Sequence, residues 1–348
     1  MILRKVRPLR NAYRFLSRAY DRLLDKLGHE VLQDPRDTPA LRLMVSLSFS
    51  AIPIFLIQLV IGKPRLLLAI AFYLSLYGLK FHGFVRMFSA KHLEAHRRHG
   101  YFSEKYGILG RYVEFFLGYL YGNVPELDRT VHVRLHHREN GGFDDTAESR
   151  GYDRTSRLDF LWYLSNNIWT VLGIAPYAYF KAVGDEENRR RLLWGMARYY
   201  AYFAAVTIYD WRIGTLFVLV PLLCMNFITA IVAWVQHAFY DPEQPENYFA
   251  HTATVLDEVD FMNEGYHLCH HHRAGLHWTE MPVHLEQIRD RMRESGSLVF
   301  RDLNFMRLFF ELTLLRRMDV LAEKLVPWEP MNHEQRLALL AKRTGVAT

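Results

Sequence analysis

The stretch IGTLFVLVPLLCMNFITAIVAWVQ at residues 213–236 decides the fold class, because it carries no charge and ends directly before His237. A helix needs roughly 20 apolar residues to cross the hydrocarbon core of a bilayer. Residues 44–61 form a second stretch without a charge. Both stretches therefore predict membrane-spanning helices.

Two further apolar stretches extend these spans into hairpins. Residues 66–85 follow the first span after a short tip, and residues 192–209 precede the last span before another short tip. The sequence thus predicts an all-α integral membrane protein with four transmembrane helices in two hairpins, at about 44–61, 66–85, 192–209 and 213–236. A soluble protein with several buried core helices is the alternative.

Charge is distributed unevenly between the two sides of this arrangement. The chain has 43 basic and 37 acidic residues, yet the hairpin tips contain only Lys63, Arg65 and Arg212 as basic residues. The face opposite the tips is therefore predicted to be cytoplasmic. No basic block with interleaved aromatic residues is present, so nucleic acid is not an expected partner.

The remaining segments flank the membrane part. Residues 1–40 and 297–348 show apolar positions at helical spacing among charged residues. This pattern predicts an N-terminal amphipathic cytoplasmic segment and a C-terminal amphipathic helical tail, which lie on the membrane or cap the cytoplasmic domain. Residues 41–296 are predicted to form the membrane domain.

Histidines are concentrated in three clusters outside the predicted spans. An interval of four residues places two imidazoles on one helix face, where both can reach a common metal. His92 and His96 have this interval, as do His132 and His136, while His137 is turned away by about a quarter circle. The candidate metal ligands are His92, His96, His132, His136, His137, His237, His267, His270 and His271.

The number of candidate ligands has two consequences. Nine imidazoles exceed the four to six ligands of a single ion, so they predict a dinuclear centre, although imidazole suits iron, zinc, copper and nickel alike. The clusters can share a site only if they lie on one side of the membrane. The uncharged run 160–180, which contains asparagines and a proline, is therefore predicted to be interfacial rather than a fifth span. Candidate carboxylates for orienting the imidazoles are Glu94, Asp257, Asp260 and Glu264.

In order and spacing, these clusters resemble the histidine boxes of the membrane-bound fatty acid desaturase and hydroxylase superfamily. Its members carry H-x(3 or 4)-H, H-x(2 or 3)-H-H and a late H-x-x-H-H motif around two non-haem irons. The matching segments are HLEAH at 92–96, HVRLHH at 132–137 and HLCHH at 267–271, and His237 matches an extra histidine near the final span. The resemblance covers about residues 44–278. It implies two iron ions held by the nine histidines in a helical cytoplasmic cap.

Two details of the sequence differ from the best-known acyl-lipid desaturases. The second cluster has three intervening residues, as in alkane hydroxylases, and no asparagine lies one turn before His237, where some acyl-CoA desaturases have one. The resemblance implies dioxygen-dependent oxidation of an unactivated C–H bond in a fatty acyl or lipid-like chain, by desaturation or hydroxylation. Oxidative decarboxylation of a free fatty acid to a terminal alkene is the alternative. A non-enzymatic membrane metal-binding or transport protein is an alternative of another class.

The resemblance also implies partners and a location. The sequence contains no flavin, nicotinamide or iron–sulfur motif, so a ferredoxin, rubredoxin or cytochrome-type carrier with its reductase is expected to supply electrons. The implied location is a bacterial inner membrane, with several passes and with both termini and the active site in the cytoplasm.

Overall fold

The computed structural model describes residues 2–78, 82–142, 144–257 and 261–345, with the described side chains beginning at residue 17 and excluding that of His82. The protein is mostly helical, at 69% of its residues, which agrees with the predicted all-α class. The first ten helices are α1 (Ile2–Val31), α2 (Thr38–Phe49), α3 (Ala51–Ile61), α4 (Leu66–Tyr77), α5 (His82–Ala95), α6 (Gly118–Leu120), α7 (His137–Glu139), α8 (Arg157–Val171), α9 (Ile174–Ala182) and α10 (Glu186–Tyr209).

The later helices are shorter on average. They are α11 (Trp211–Gly214), α12 (Val220–Gln236), α13 (Tyr248–His251), α14 (His267–His272), α15 (Met281–Gln287), α16 (Arg289–Glu294), α17 (Phe305–Phe309), α18 (Met318–Lys324) and α19 (His333–Thr344). Turns of 3-10 helix cover Pro35–Asp37, Glu104–Leu109 and Trp278–Glu280. Segments of π-helix cover Val113–Leu117, Asp128–His136, Thr215–Leu219 and Phe310–Leu314. Strands β1 (Thr254–Leu256) and β2 (Val299–Arg301) form a parallel pair.

Two continuous helical stretches are long and apolar enough to cross a membrane. Pro35–Ile61 spans 27 residues and contains an 18-residue window with a mean hydropathy of 2.2, and Trp211–Gln236 spans 26 residues and contains an 18-residue window with a mean hydropathy of 2.5. They contain the predicted spans 44–61 and 213–236. By length and composition, the structure therefore supports two of the four predicted spans.

The other two predicted spans do not meet this criterion. In the predicted span 66–85, helix α4 is an apolar helix of only 12 residues, and it ends before Gly78, whose φ of +67° is left-handed. Residues 79–81 lie outside the described part of the chain. The predicted span 192–209 lies within α10, where four tyrosines and Arg198 reduce the apolar character. The four-span topology thus stays a prediction.

Large apolar side chains are exposed along these same helices. Val60 at the end of α3, Leu67 in α4 and Ile208 in α10 are 87%, 80% and 86% exposed. Soluble monomers rarely expose large apolar patches. These exposed side chains therefore indicate contact with a partner or with lipid. The predicted interfacial run 160–180 forms α8 and α9, which break at Gly173 with φ +81°. Neither helix is long enough to span a bilayer.

The ends of α3 and α10 lie side by side. The Tyr209 hydroxyl at the end of α10 donates to the Leu59 carbonyl near the end of α3, at 2.7 Å. Gly214 ends α11, the short helix that follows α10. A Cβ on Gly214 would lie 2.3 Å from the Thr207 hydroxyl oxygen, so only glycine allows α11 to lie this close to α10. The two predicted hairpin tips therefore meet at one end of the helical bundle.

The C-terminal tail packs into a buried core that also contains Trp234 and Phe239. Strand β2 pairs with β1 in the register Thr254↔Val299, and Phe300 and Leu340 are fully buried. The rings of Phe239 and Phe300 stack in this core, with their centroids 5.2 Å apart. The tail therefore contributes to a buried core of the protein. The division into segments 1–40, 41–296 and 297–348 stays a prediction.

A buried arginine fixes the end of this tail. Arg154 is 0% exposed, and its guanidinium donates to five backbone carbonyls, which belong to Ser149, Arg150, Tyr152, Ala238 and Gly345. Burial lowers the pKa of Arg154 to about 10, so the side chain stays charged at neutral pH. One cation thus satisfies carbonyls from three distant segments.

We expect Arg154→Leu to destabilise the protein by about 3 kcal/mol or more, because it leaves several buried carbonyls without a donor. The unfolding temperature in detergent should fall by about 5 °C or more. Arg157→Leu is the control, since this exposed arginine also donates to a backbone carbonyl, that of Leu314. Equal unfolding temperatures for both variants would contradict this role of Arg154.

Candidate metal centre

Helix α5 carries the first histidine cluster and is held by two buried polar side chains, Lys91 and Glu94. Lys91 is buried, and its Nζ atom donates to Asn123 Oδ1 at 2.8 Å and lies 3.1 Å from Asp128 Oδ2. Glu94 is also buried and accepts from the backbone N–H groups of Val113 and Glu114, at 3.4 and 3.0 Å. These contacts fix the rotation of α5 about its axis, so the intervening His92 faces the second cluster.

The second cluster lies on the π-helical segment Asp128–His136, which changes which histidines pair. A π-helix places residues five apart above one another. Nε2 of His132 accordingly lies 3.0 Å from Nε2 of His137, five residues later. The prediction that His132 and His136 face a common metal was therefore wrong, since His136 turns to other partners. His136 and His137, which the sequence predicts to point in different directions, accordingly have different imidazole partners.

The third cluster and His237 complete the arrangement. Helix α14 is a single α-helical run, so His267 and His271 share a face, with their Nε2 atoms 3.0 Å apart. His237 follows the last residue of α12. Gly141 packs against its ring with φ +72°, and a Cβ there would lie 3.3 Å from His237 Nδ1. Glycine therefore allows this loop to lie over the imidazole.

The structure brings all nine predicted ligands together in two groups. The first group that could hold a metal comprises His92, His96, His132 and His270, and the second comprises His136, His237, His267 and His271. Within each group the ligand nitrogens lie within 4.8 Å of one another. His137 adds to the first group, because its Nε2 atom is 2.9 Å from that of His270.

The nitrogen positions fit metal ions better than hydrogen bonds. Nε2 of His270 lies 2.8 Å from that of His92, 3.2 Å from that of His132 and 2.9 Å from that of His137. A neutral imidazole has one donor and one acceptor nitrogen, so one atom cannot satisfy three such neighbours. Imidazoles bound to one ion at about 2.0–2.1 Å have nitrogens about 2.9–3.4 Å apart. In addition, Nε2 of His96 is buried without a hydrogen-bond partner.

Burial favours the neutral, metal-binding form of most of these imidazoles. Desolvation and then the neighbouring imidazoles lower the pKa of His92, His132, His267, His270 and His271 well below 6.5. The pKa falls to about 3 for His237 and to about 4 for His96, with desolvation again the main cause. Because metal binding requires neutral imidazole, the site is prepared for a cation at neutral pH.

A carboxylate that the sequence did not single out orients the second group. Asp145 is fully buried as a side chain, and its Oδ2 atom accepts from His136 Nδ1 at 2.5 Å. The backbone N–H groups of Gly141 and Ala147 donate to the same carboxylate. Asn140 Oδ1 lies 3.0 Å from Nδ1 of His271 in the same group. Such partners fix the tautomer and the ring orientation of metal-binding histidines.

Of the four carboxylates predicted for this role, Glu264 lies beside the candidate ligands. Glu94 binds backbone N–H groups, as described above, and Asp257 accepts from Asn304. Asp260 lies outside the described residues. Glu264 accepts from Gln236 Nε2 at 3.4 Å and lines a small cavity of ≈ 10 Å³ beside His92, His267 and His270. A cavity of this size holds about one water molecule.

This arrangement defines a helical protein with a candidate two-metal site made of histidine. Residues 64–302, more than half of the chain, match the family model described as fatty acid desaturase. The chain therefore belongs to the fatty acid desaturase family. No curated protein and no solved structure matches the chain. Together with the two long apolar helices, family membership indicates a membrane protein with oxidoreductase character.

We predict that Asp145→Asn weakens metal binding about 10- to 100-fold, because loss of such a partner frees the imidazole of His136. Metal affinity should be measured by competition with a chelator. Asp144→Asn is the control, since the neighbouring Asp144 is exposed. The interpretation fails if Asp145→Asn and Asp144→Asn bind metal equally well.

Proposed function

We propose that the protein oxidises an unactivated C–H bond of a fatty acyl chain with dioxygen, by desaturation or hydroxylation, at a diiron centre held by the two histidine groups. The observation that carries this proposal is the convergence of nine imidazoles into two adjacent groups. Membership of the fatty acid desaturase family supports iron and an acyl substrate.

The residues of the chain have three tasks in this reaction. When bound, two irons supplied with dioxygen and electrons provide an oxidant strong enough to remove hydrogen from a methylene group. The imidazoles would hold the metal ions. The Asp145 carboxylate accepts a hydrogen bond from Nδ1 of His136, which keeps that ring oriented. The second group is fully buried, which excludes bulk water from the reacting centre.

We propose the four-span topology on a geometric argument. His136 and His237 face each other, with Nε2 atoms 3.3 Å apart, so both ends of the intervening chain lie on one side of the membrane. If Trp211–Gln236 crosses the bilayer, a second segment between these histidines must cross back. Helix α10 fills this role, because its end meets the end of α3 at Tyr209, away from the histidines.

The partners and the location follow from the same proposal. We propose a bacterial inner membrane with the histidine groups and both termini in the cytoplasm, because basic residues are scarce at the hairpin tips. A ferredoxin, rubredoxin or cytochrome-type carrier with its reductase would supply the electrons. Such carriers are commonly acidic, and the chain has a net charge of +6.

Expression in a bacterial host, together with an electron carrier and its reductase, tests this function. We expect new double bonds or hydroxyl groups in the extracted acyl chains, detected by mass spectrometry, and no new product with His270→Ala. That substitution removes the nitrogen with three close neighbours in the first group.

The matched control is His272→Ala. His272 follows the third cluster but pairs with His284 at 2.9 Å, outside both groups. Its variant should retain metal and product. Volatile terminal alkenes as the only product would replace the proposed reaction with decarboxylation, and full activity of His270→Ala would refute the proposed site.

A further inference from the structure

A buried aspartate joins three segments of the chain beside the first histidine group. Asp37 is 0% exposed and ends the 3-10 turn Pro35–Asp37. Its carboxylate accepts from both terminal nitrogens of Arg97, from Nε2 of His277 at 3.3 Å and from Nε1 of Trp278 at 3.1 Å. All these donors come from distant parts of the sequence.

The donors follow directly on two histidine clusters. Arg97 is the residue after His96, just beyond the end of α5, and it also packs over the Tyr101 ring at 4.9 Å. His277 and Trp278 follow α14, which carries His270 of the first group as well as His267 and His271 of the second. Asp37 therefore fastens the end of α5, whose His92 and His96 both belong to the first group, to the segment after α14.

The two histidine groups differ in the contacts that orient their imidazole rings. In the second group, Asp145 and Asn140 contact the outward nitrogens of His136 and His271. In the first group, Nδ1 of His270 is buried without a hydrogen-bond partner, as is Nδ1 of His237 in the second group. For the described residues, the hydrogen bonds of His92, His132 and His270 connect these imidazoles to one another and to His137. The first group thus lacks the direct anchor that the second group has.

We propose that Asp37 is a positioning residue for the first metal position, which it sets by holding the end of α5 against the segment after α14. The inference rests on the proposed metal centre and goes beyond it, because it assigns separate anchors to the two positions. Asp145 serves the second position through a direct hydrogen bond to a ligand. Asp37 serves the first position through Arg97, His277 and Trp278.

The experiment measures iron per chain and its loss to a chelator in the full-length protein in detergent. Asp37→Asn keeps the shape of the side chain but loses the charge that pairs with Arg97. We expect one of the two irons to be lost about tenfold faster or more, and the other at the wild-type rate. Asp34→Asn is the control, because Asp34 lies on the same turn, 3.8 Å from His277, and asparagine caps helices as well as aspartate does.

A second variant separates positioning from stability. Asp37→Asn leaves Arg97 as an unpaired, largely buried cation, which destabilises a fold. The double variant Asp37→Asn with Arg97→Gln removes both charges, so we expect the unfolding temperature to recover towards wild type. Fast loss of one iron should persist, because the two segments are still not fastened.

Three outcomes overturn the inference. They are parallel loss of both irons, wild-type retention of both irons in Asp37→Asn, and restored retention in the double variant. Each of these leaves the proposed function intact, because the wild-type protein still holds two irons. A wild-type protein without iron would instead refute the proposed function together with this inference.

Discussion

The structure depends on the crowding of imidazole nitrogens into one small volume. Nitrogens at 2.8–3.3 Å from several others cannot all be satisfied by hydrogen bonds, because each neutral ring offers one donor and one acceptor. A metal ion bound in each group would accept the lone pairs of the imidazole nitrogens and so remove this conflict. The helices, the buried charges and the packed tail can then be understood as the scaffold that brings nine rings from four segments to this place.

Buried charged side chains act as the fasteners of that scaffold. Lys91 joins α5 to the π-helical segment, and Asp145 fixes a ring within it. Asp37 joins α5 to the chain after α14, while Arg154 fastens the C-terminal end. Burying a charge costs much free energy unless it is paired, so these contacts favour one arrangement over alternatives with similar apolar packing. Fixed geometry is what a reaction at a single methylene carbon requires.

The sequence predicted the helical class and all nine converging histidines, because residue type and spacing carry that information. Three features escaped it. The pairing of His132 with His137 needs a π-helix, whereas spacing was interpreted with α-helical geometry. Asp145 lies in a loop, where no periodicity indicates the direction of a side chain. The Asp37 contacts join residues about 240 positions apart, and such pairs follow only from the tertiary fold.

X-ray absorption at the iron edge of the purified protein tests the central claim most directly. We expect about two irons per chain, a first coordination shell dominated by nitrogen with imidazole scattering, and an iron–iron distance that corresponds to two separate histidine groups. A single iron per chain, or a first shell dominated by sulfur, would contradict it. A protein that binds zinc alone and consumes no dioxygen would contradict the proposed chemistry while leaving the histidine site in place.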